Sequence, residues 1–142
     1  MRLQPLIDAL REAVVNQSVI HADETPVQML APGEKKTHPA YVWAYSTTPF
    51  SALKAAVYDF SPSRAGERAR NFLGDWNGKL VCDDFAGYKA GFERGITEIG
   101  CMAHARRRFV DLHVANKSQL AEQALLDQRL VRGRTPSAGH ER

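Results

Sequence analysis

Two spacings of apolar residues follow each other near the start of the chain. From Leu3 to Asn16 they recur every three or four residues, which predicts an amphipathic helix. Pro5 fits the first turn of this helix, where its missing N–H group costs no hydrogen bond. The apolar run Val19–Ala22 then predicts a strand, and Val27–Leu30 continues the extended path beyond Pro26.

The next segments also predict strands. An exposed hairpin loop is expected over residues 31–39, which hold two prolines and a glycine. Aromatic and β-branched residues predict strands over Tyr41–Tyr45 and Ala55–Phe60. The links between these strands are short, which favours antiparallel neighbours.

A helix interrupts the strands in the middle of the chain. Ser63 is the expected N-cap of this helix, and Ala65–Leu73 has helical composition. Strands are predicted again over Lys79–Cys82 and Ile96–Gly100, with a short helical turn over Tyr88–Phe92 between them. Because a helix precedes it, the fourth strand can run parallel to a neighbour through a crossover.

The last third of the chain is predicted to be helical. Helical spacing begins at Met102, and Leu120–Leu130 either extends that helix or starts another. Residues 132–142 lose apolar periodicity and predict a disordered tail. The order of elements is compatible with an α/β fold of RNase H-like type, a mixed sheet of about five strands with flanking helices. Ferredoxin-like and other mixed sheets remain open alternatives.

Composition narrows the class of protein. With 142 residues, 44% of them hydrophobic, the chain is long enough for one domain with a core. A net charge of +3 permits a nucleic-acid partner without indicating one. Two cysteines make no disulfide framework, and the sequence has neither a secretory start nor an apolar run of about 20 residues. We expect a cytoplasmic protein that does not enter a membrane.

Two acidic stretches follow predicted strands and carry the candidate chemistry. Asp23 follows the first strand and Asp83 directly follows the fourth. If these strands are neighbours, the two carboxylates lie close together and can share a divalent ion, Mg²⁺ or Mn²⁺, which suits phosphoryl transfer on DNA. Glu24 is ranked lower because it faces the other side of the strand, and Asp84 can cap a turn. The alternative is that these acids only shape turns.

Few further metal ligands follow the second acidic stretch. A site of this kind usually has a third acid, and only Asp111, Glu122 and Asp127 lie in convincing helix. Cys101 and His104 have the spacing of half a zinc site, but no second pair completes it. A buried cysteine and a hydrogen-bonded histidine are therefore expected at this position.

Two groups of arginines are candidates for contact with phosphate. Arg106, Arg107 and Arg108 form the denser group at the start of a predicted helix, and they either bind the DNA backbone or form a solvated helix face. We assign the looser group to a solvated face with ordinary salt bridges. Its members are Arg64, Arg68 and Arg70.

Four ordered blocks of sequence suggest a family. They are His21–Val27, Phe60–Arg64, Asp83–Tyr88 and Cys101–Phe109. Together they resemble the catalytic domain of bacterial insertion-sequence transposases of the IS66 group, over roughly residues 1–126. The third block is similar to the family's aspartate-glycine-tyrosine-alanine-glycine-tyrosine block, and the fourth matches its cysteine-x-alanine-histidine-x-arginine-arginine block.

The resemblance implies a DDE-type transposase with an RNase H-like core and a divalent metal ion. Its partners would be DNA at the transposon ends and other transposase subunits. Carried over onto this chain, Asp23 is the first acid and Asp83 the second, because Asp84 stands where the family usually has glycine. The family's third acid, a glutamate in a later helix, has no match here.

The resemblance also implies how the chain is divided. Residues 1–126 are interpreted as part of the catalytic domain, incomplete at its C-terminus, and residues 127–142 as a divergent tail. A truncated domain of this kind predicts little or no strand transfer by the chain alone. Glu122 can replace the missing acid only if its helix packs against the edge that holds Asp23 and Asp83. The alternatives are a non-catalytic fragment that binds DNA or transposase, and a metal-free structural domain.

Overall fold

A computed structural model describes residues 3–30, 32–33 and 35–132, and for residues 129–132 it describes the backbone only. Helices and strands follow each other in the predicted order. Their bounds are α1 (Gln4–Val15), β1 (Val19–Leu30), β2 (Thr37–Thr47), β3 (Ala56–Ser61), α2 (Glu67–Leu73), β4 (Lys79–Cys82), a 3-10 turn (Ala86–Tyr88), α3 (Lys89–Phe92), β5 (Thr97–Gly100), α4 (Met102–Asn116) and α5 (Gln119–Arg132).

The first of two compact units ends at Gly100 and is built on a mixed sheet. Its five strands lie in the order β3-β2-β1-β4-β5. Neighbours among β1, β2 and β3 are antiparallel, whereas β4 runs parallel to both β1 and β5. The predicted α/β class, the antiparallel first three strands and the parallel fourth strand are therefore confirmed. Between β3 and β4 the crossover passes through α2.

β1 continues as one strand through Pro26, as expected. Pro26 lies opposite Tyr41 of β2. On the other side of β1, pairing with β4 extends only from Val19 to His21 in the described chain. A proline beyond His21 therefore faces no second ladder that would need its missing N–H group.

The core of the first unit lies against one face of the sheet. Ile20 of β1 and Leu80 of β4 are register partners, and both are fully buried. The Tyr45 ring of β2 stacks on Phe72 of α2 with centroids 3.7 Å apart. Other members of this cluster are Val14, Ala22, Trp43, Val57, Ala69, Leu73, Cys82, Tyr88 and Ile96.

α2 begins later than predicted and without the expected cap. It starts at Glu67, and Gly66 before it offers no side-chain cap. The Ser63 hydroxyl instead accepts a hydrogen bond from the Ala65 N–H group at 3.2 Å, which is a turn ahead of the helix. The prediction of Ser63 as N-cap is therefore wrong. Gly74 ends the helix, as expected, at a φ of 58° that glycine adopts without strain.

The second unit begins at Cys101 and consists of α4 and α5. The two helices are separated at Lys117, which adopts a left-handed conformation with a φ of 55°. Of the two alternatives for the C-terminal pattern, a separate helix is therefore correct. The predicted tail lies outside the described residues from residue 133 onward. Within the described chain, every helix is too short or too polar to cross a bilayer.

Leu80 provides a test of the core. Its side chain is 0% exposed, whereas Leu30 at the end of β1 is 74% exposed. Leu80→Ala leaves a cavity, so we expect it to lower the free energy of unfolding by about 2–5 kcal/mol. Leu30→Ala is the matched control and should cost about 0.5 kcal/mol or less. Urea unfolding of both variants measures the difference, and equal losses would contradict this assignment of the core.

Candidate carboxylate site

Asp23 lies within β1, and Asp83 directly follows β4, the parallel neighbour of β1. Among the described residues, the last pair of this parallel ladder is His21 with Val81. Parallel strands advance together, so the same register, if continued by two residues, would set Asp83 opposite Asp23. β1 and β4 are therefore neighbours, but the prediction that Asp23 follows the first strand is wrong, because β1 continues to Leu30.

The negative charges of both aspartates act on a third acid, Glu24. Asp23 and Asp83 are each half-buried. The negative charges of Asp83 and Asp23 each help to raise the pKa of Glu24, with burial as the larger cause. Both aspartates are therefore near enough for their charges to act on Glu24.

Asp83 has an unsatisfied oxygen atom. Its Oδ1 is buried and accepts no hydrogen bond from any described part of the chain. A buried carboxylate oxygen without a donor is unfavourable, because it has lost its water and gained no partner. A cation at this position would satisfy the Oδ1 atom.

Glu24 is more deeply buried than either aspartate, although the sequence argument ranked it lower. Its side chain is only 1% exposed. Strand alternation explains this, since Ile20 and Ala22 are buried and Glu24 is the next residue on the same face. Asp23 lies on the opposite face. The apolar residues at alternate positions were the sequence signal that could have identified Glu24 as a core residue.

Both carboxylate oxygens of Glu24 have partners. Arg64 donates a hydrogen bond to Oε1 and forms an ion pair with it. The Tyr88 hydroxyl lies 3.4 Å from Oε2, which is the longer and weaker of the two contacts. Burial raises the pKa of Glu24 and the hydrogen bond from Arg64 opposes that rise. Glu24 is therefore a buried acid held by a cation and a phenol.

Aromatic rings surround this ion pair. The Arg64 guanidinium lies 4.2 Å from the centre of the Phe85 ring. Phe85 and Tyr88 meet edge-on with centroids 5.7 Å apart, and Trp43 lies 5.8 Å from Phe85 and 6.1 Å from Tyr88. A guanidinium over a ring face is attracted to the ring, and edge-on ring pairs pack favourably, while 48% of the Arg64 side chain remains exposed.

The charge of this region favours a cation. The charges of Asp23 and Asp83 both act on Glu24, and those of Glu24 and Asp83 act on Arg64, so these four groups carry a formal net charge of minus two. Among the described residues, no group of three or more His, Cys, Asp or Glu residues is arranged to hold a metal ion. Asp23 and Asp83 therefore fit a divalent ion as a partial set of ligands only.

Two arginines of the looser group form ion pairs, as expected. Arg64 pairs with Glu24, and Arg68 lies 3.9 Å from the carboxylate of Asp59. The expectation of salt bridges is confirmed for these two residues. Arg64 differs from the expectation in one respect, because its partner is buried.

The second unit carries the denser arginine group. Arg107 and Arg108 are exposed on α4, and Arg106 is half-buried. Cys101, which precedes α4, is a free thiol that is half-buried instead of buried as expected. His104 in the first turn of α4 is half-buried as well. These positions leave two arginines available for an external anion.

Comparison with known proteins finds a family model and several relatives that match this chain. A family model described as Transposase IS66 family matches residues 1–130. The uncharacterized protein y4qI of Sinorhizobium fredii is 33% identical over 136 residues, which are 87% of this chain and 25% of that protein. The uncharacterized protein y4jD of the same organism is 36% identical over 121 residues, with 78% and 24% covered. The chain thus spans about a quarter of these curated relatives. No solved structure matches it significantly.

Because the Tyr88 phenol is buried, we expect the stability of the fold to decrease at alkaline pH. Burial, followed by nearby negative charge, raises the pKa of Tyr88 well above its usual range. The unfolded chain therefore loses this proton first, so the stabilisation is complete below a pH of about 10 and is lost as the pH rises further. We expect Tyr88→Phe to weaken the fall in the free energy of unfolding between about pH 8 and about pH 11.

Denaturant unfolding across this pH range provides the measurement. Tyr58→Phe is the matched control, because the Tyr58 side chain is 70% exposed in the folded chain. An identical pH dependence in the wild type and Tyr88→Phe would show that the Tyr88 phenol ionises as easily in the folded chain as in the unfolded one.

Proposed function

The chain belongs to the IS66 family of transposases, and from this we propose that its first unit is the part of an RNase H-like catalytic domain that supplies two acids for DNA transposition. The supporting observation is the parallel β1–β4 register, which pairs His21 with Val81 and would, if continued by two residues, set Asp83 opposite Asp23. Three antiparallel strands followed by two parallel ones also support the RNase H-like assignment.

In this proposal Asp23 and Asp83 hold a divalent ion, Mg²⁺ or Mn²⁺. When bound between carboxylates and DNA, such an ion stabilises charge on the attacking and leaving oxygens of a phosphodiester. Carboxylate oxygens are the ligands that these hard ions prefer. The unsatisfied Oδ1 atom of Asp83 supports this role for Asp83.

The proposed reaction needs more of the protein than this chain. The chain covers about a quarter of its curated relatives. In the described residues, no third acid joins Asp23 and Asp83 in a group that could hold a metal ion. Glu122, which is exposed on α5, is a candidate offered by the sequence alone. We therefore expect the chain by itself to show little or no strand transfer with Mg²⁺.

The arginines of α4 support a second proposal, which is contact with the DNA backbone. Arg107 and Arg108 are exposed, and the described residues offer neither of them an ion pair. Exposed guanidinium groups can replace counterions on phosphates without reading the base sequence. This role would serve a transposase at its transposon ends, and it would also serve a non-catalytic DNA-binding fragment.

A metal titration tests the two acids. We expect Asp23→Asn and Asp83→Asn each to weaken Mn²⁺ binding by about tenfold or more, since each removes a charged ligand. Asp84→Asn is the matched control, because Asp84 is exposed and next to Asp83. The electron paramagnetic resonance signal of free Mn²⁺ gives the dissociation constants. If all three variants bind Mn²⁺ as the wild type does, the assignment of Asp23 and Asp83 is wrong.

Salt dependence tests the contact with DNA. We expect Arg107→Ala and Arg108→Ala each to weaken binding of duplex DNA and to reduce the slope of log K against log salt by about one. Arg94→Ala is the control, because Arg94 is an exposed arginine of the first unit. Fluorescence anisotropy at several salt concentrations measures the slope. An unchanged slope in both α4 variants would exclude these residues from the interface.

A further inference from the structure

Glu24 connects three segments that are far apart in the sequence. It lies on β1, its partner Arg64 lies between β3 and α2, and its partner Tyr88 ends the turn that follows Asp83. We propose that Glu24 is a positioning residue, which, through Arg64 and Tyr88, holds the turn after β4 so that Asp83 stays opposite Asp23. We call these three residues the Glu24 clamp. The proposal deepens the proposed function and rests on it.

The geometry assigns Glu24 a different role from the two aspartates. Arg64 occupies Oε1 and Tyr88 contacts Oε2, so both oxygens are engaged within the fold. The side chain is 1% exposed and lies on the core face of β1, whereas Asp23 lies on the opposite face. A carboxylate with both oxygens engaged in the core is poorly placed to bind an ion at the face of Asp23.

Asp83 depends on its neighbours in the chain for its position. The β4 ladder ends at Cys82, one residue before Asp83, and the Oδ1 atom of Asp83 accepts no hydrogen bond from the described residues. The next firm anchor is Tyr88, which is 2% exposed and packs edge-on against Trp43 and Phe85. Asp83 is therefore held from both sides, by β4 before it and by the Tyr88 anchor after it.

A second contact docks the same two segments independently of charge. A Cβ atom added to Gly66, two residues after Arg64, would lie 2.6 Å from the carbonyl oxygen of Gly87, the residue before Tyr88. The backbones of the two segments thus meet with no room for a side chain. Arg64 also covers the Phe85 ring at 4.2 Å. The segment that carries Arg64 and the turn that follows Asp83 therefore form one packed structure around Glu24.

The proposal is tested on the full chain by two measurements, backbone hydrogen exchange of residues 83–92 and Mn²⁺ affinity. Glu24→Gln keeps the shape of the side chain and removes its charge. We expect exchange of these amides to become about tenfold faster or more, because the turn opens locally. We expect the Mn²⁺ dissociation constant to rise about 10–100-fold, as it does when the support of a metal ligand is removed.

Two further variants keep the test decisive. Tyr88→Phe removes a single hydroxyl and retains the ring, so we expect a smaller effect of about two- to tenfold, equivalent to one hydrogen bond, even if Glu24→Gln fails to fold. Glu98→Gln is the matched control, because Glu98 is exposed on β5, and both measurements should remain at wild-type values. Melting temperatures recorded in parallel separate loss of overall stability from local opening.

The outcomes that overturn the proposal are distinct. A lower melting temperature of Glu24→Gln, with unchanged exchange in residues 83–92 and unchanged Mn²⁺ affinity, would make the ion pair purely structural. Loss of Mn²⁺ binding as complete as in Asp83→Asn, with unchanged exchange, would make Glu24 a ligand. If the wild type binds no Mn²⁺ at all, the proposed function fails, and the exchange data alone still decide whether Glu24 holds the turn.

Discussion

Parallel pairing of β1 with β4 joins the antiparallel half of the sheet to its parallel half. The same ladder sets Ile20 beside Leu80 in the core, and both side chains are fully buried. Slipping the register by one residue would turn every side chain of β4 to the other face, exposing Leu80 and moving Asp83 away from Asp23. The pairing that stabilises the core therefore also fixes the candidate site, so a change that weakens one should disturb the other.

Neighbouring acids on one strand have different environments here. Because strand side chains alternate, Asp23 and Glu24 point to opposite faces of the sheet. Glu24 enters the core and needs Arg64 and Tyr88, since a buried charge without partners is strongly unfavourable. A buried ion pair adds little net stability over an apolar side chain of similar size. Its directional contacts do select which loop and which turn lie against β1, in agreement with the positioning role inferred for Glu24.

The structure brings together residues from three of the family blocks. Glu24, Arg64 and Tyr88 come from three of the four blocks that resemble IS66 transposases, and they meet around a single buried carboxylate. Trp43 contributes a ring from β2 to the same cluster. The blocks therefore contain residues that hold the site together as well as the two candidate metal ligands. The fourth block belongs to the second unit, where Arg107 and Arg108 are exposed on α4.

Local patterns in the sequence were sufficient for the type and order of the helices and strands, and for the bounds of β4, because spacing and turn residues act over short distances. They also singled out Asp23 and Asp83, although only Asp83 follows the end of a strand and Asp23 lies within β1. The predicted N-cap at Ser63 is wrong because a serine hydroxyl can serve a turn as well as a helix. Only the tertiary structure decided that Arg64 and Tyr88 are the partners of the buried Glu24. These residues are 40 and 64 positions away, and pairing at such separations follows from how the strands and loops pack together.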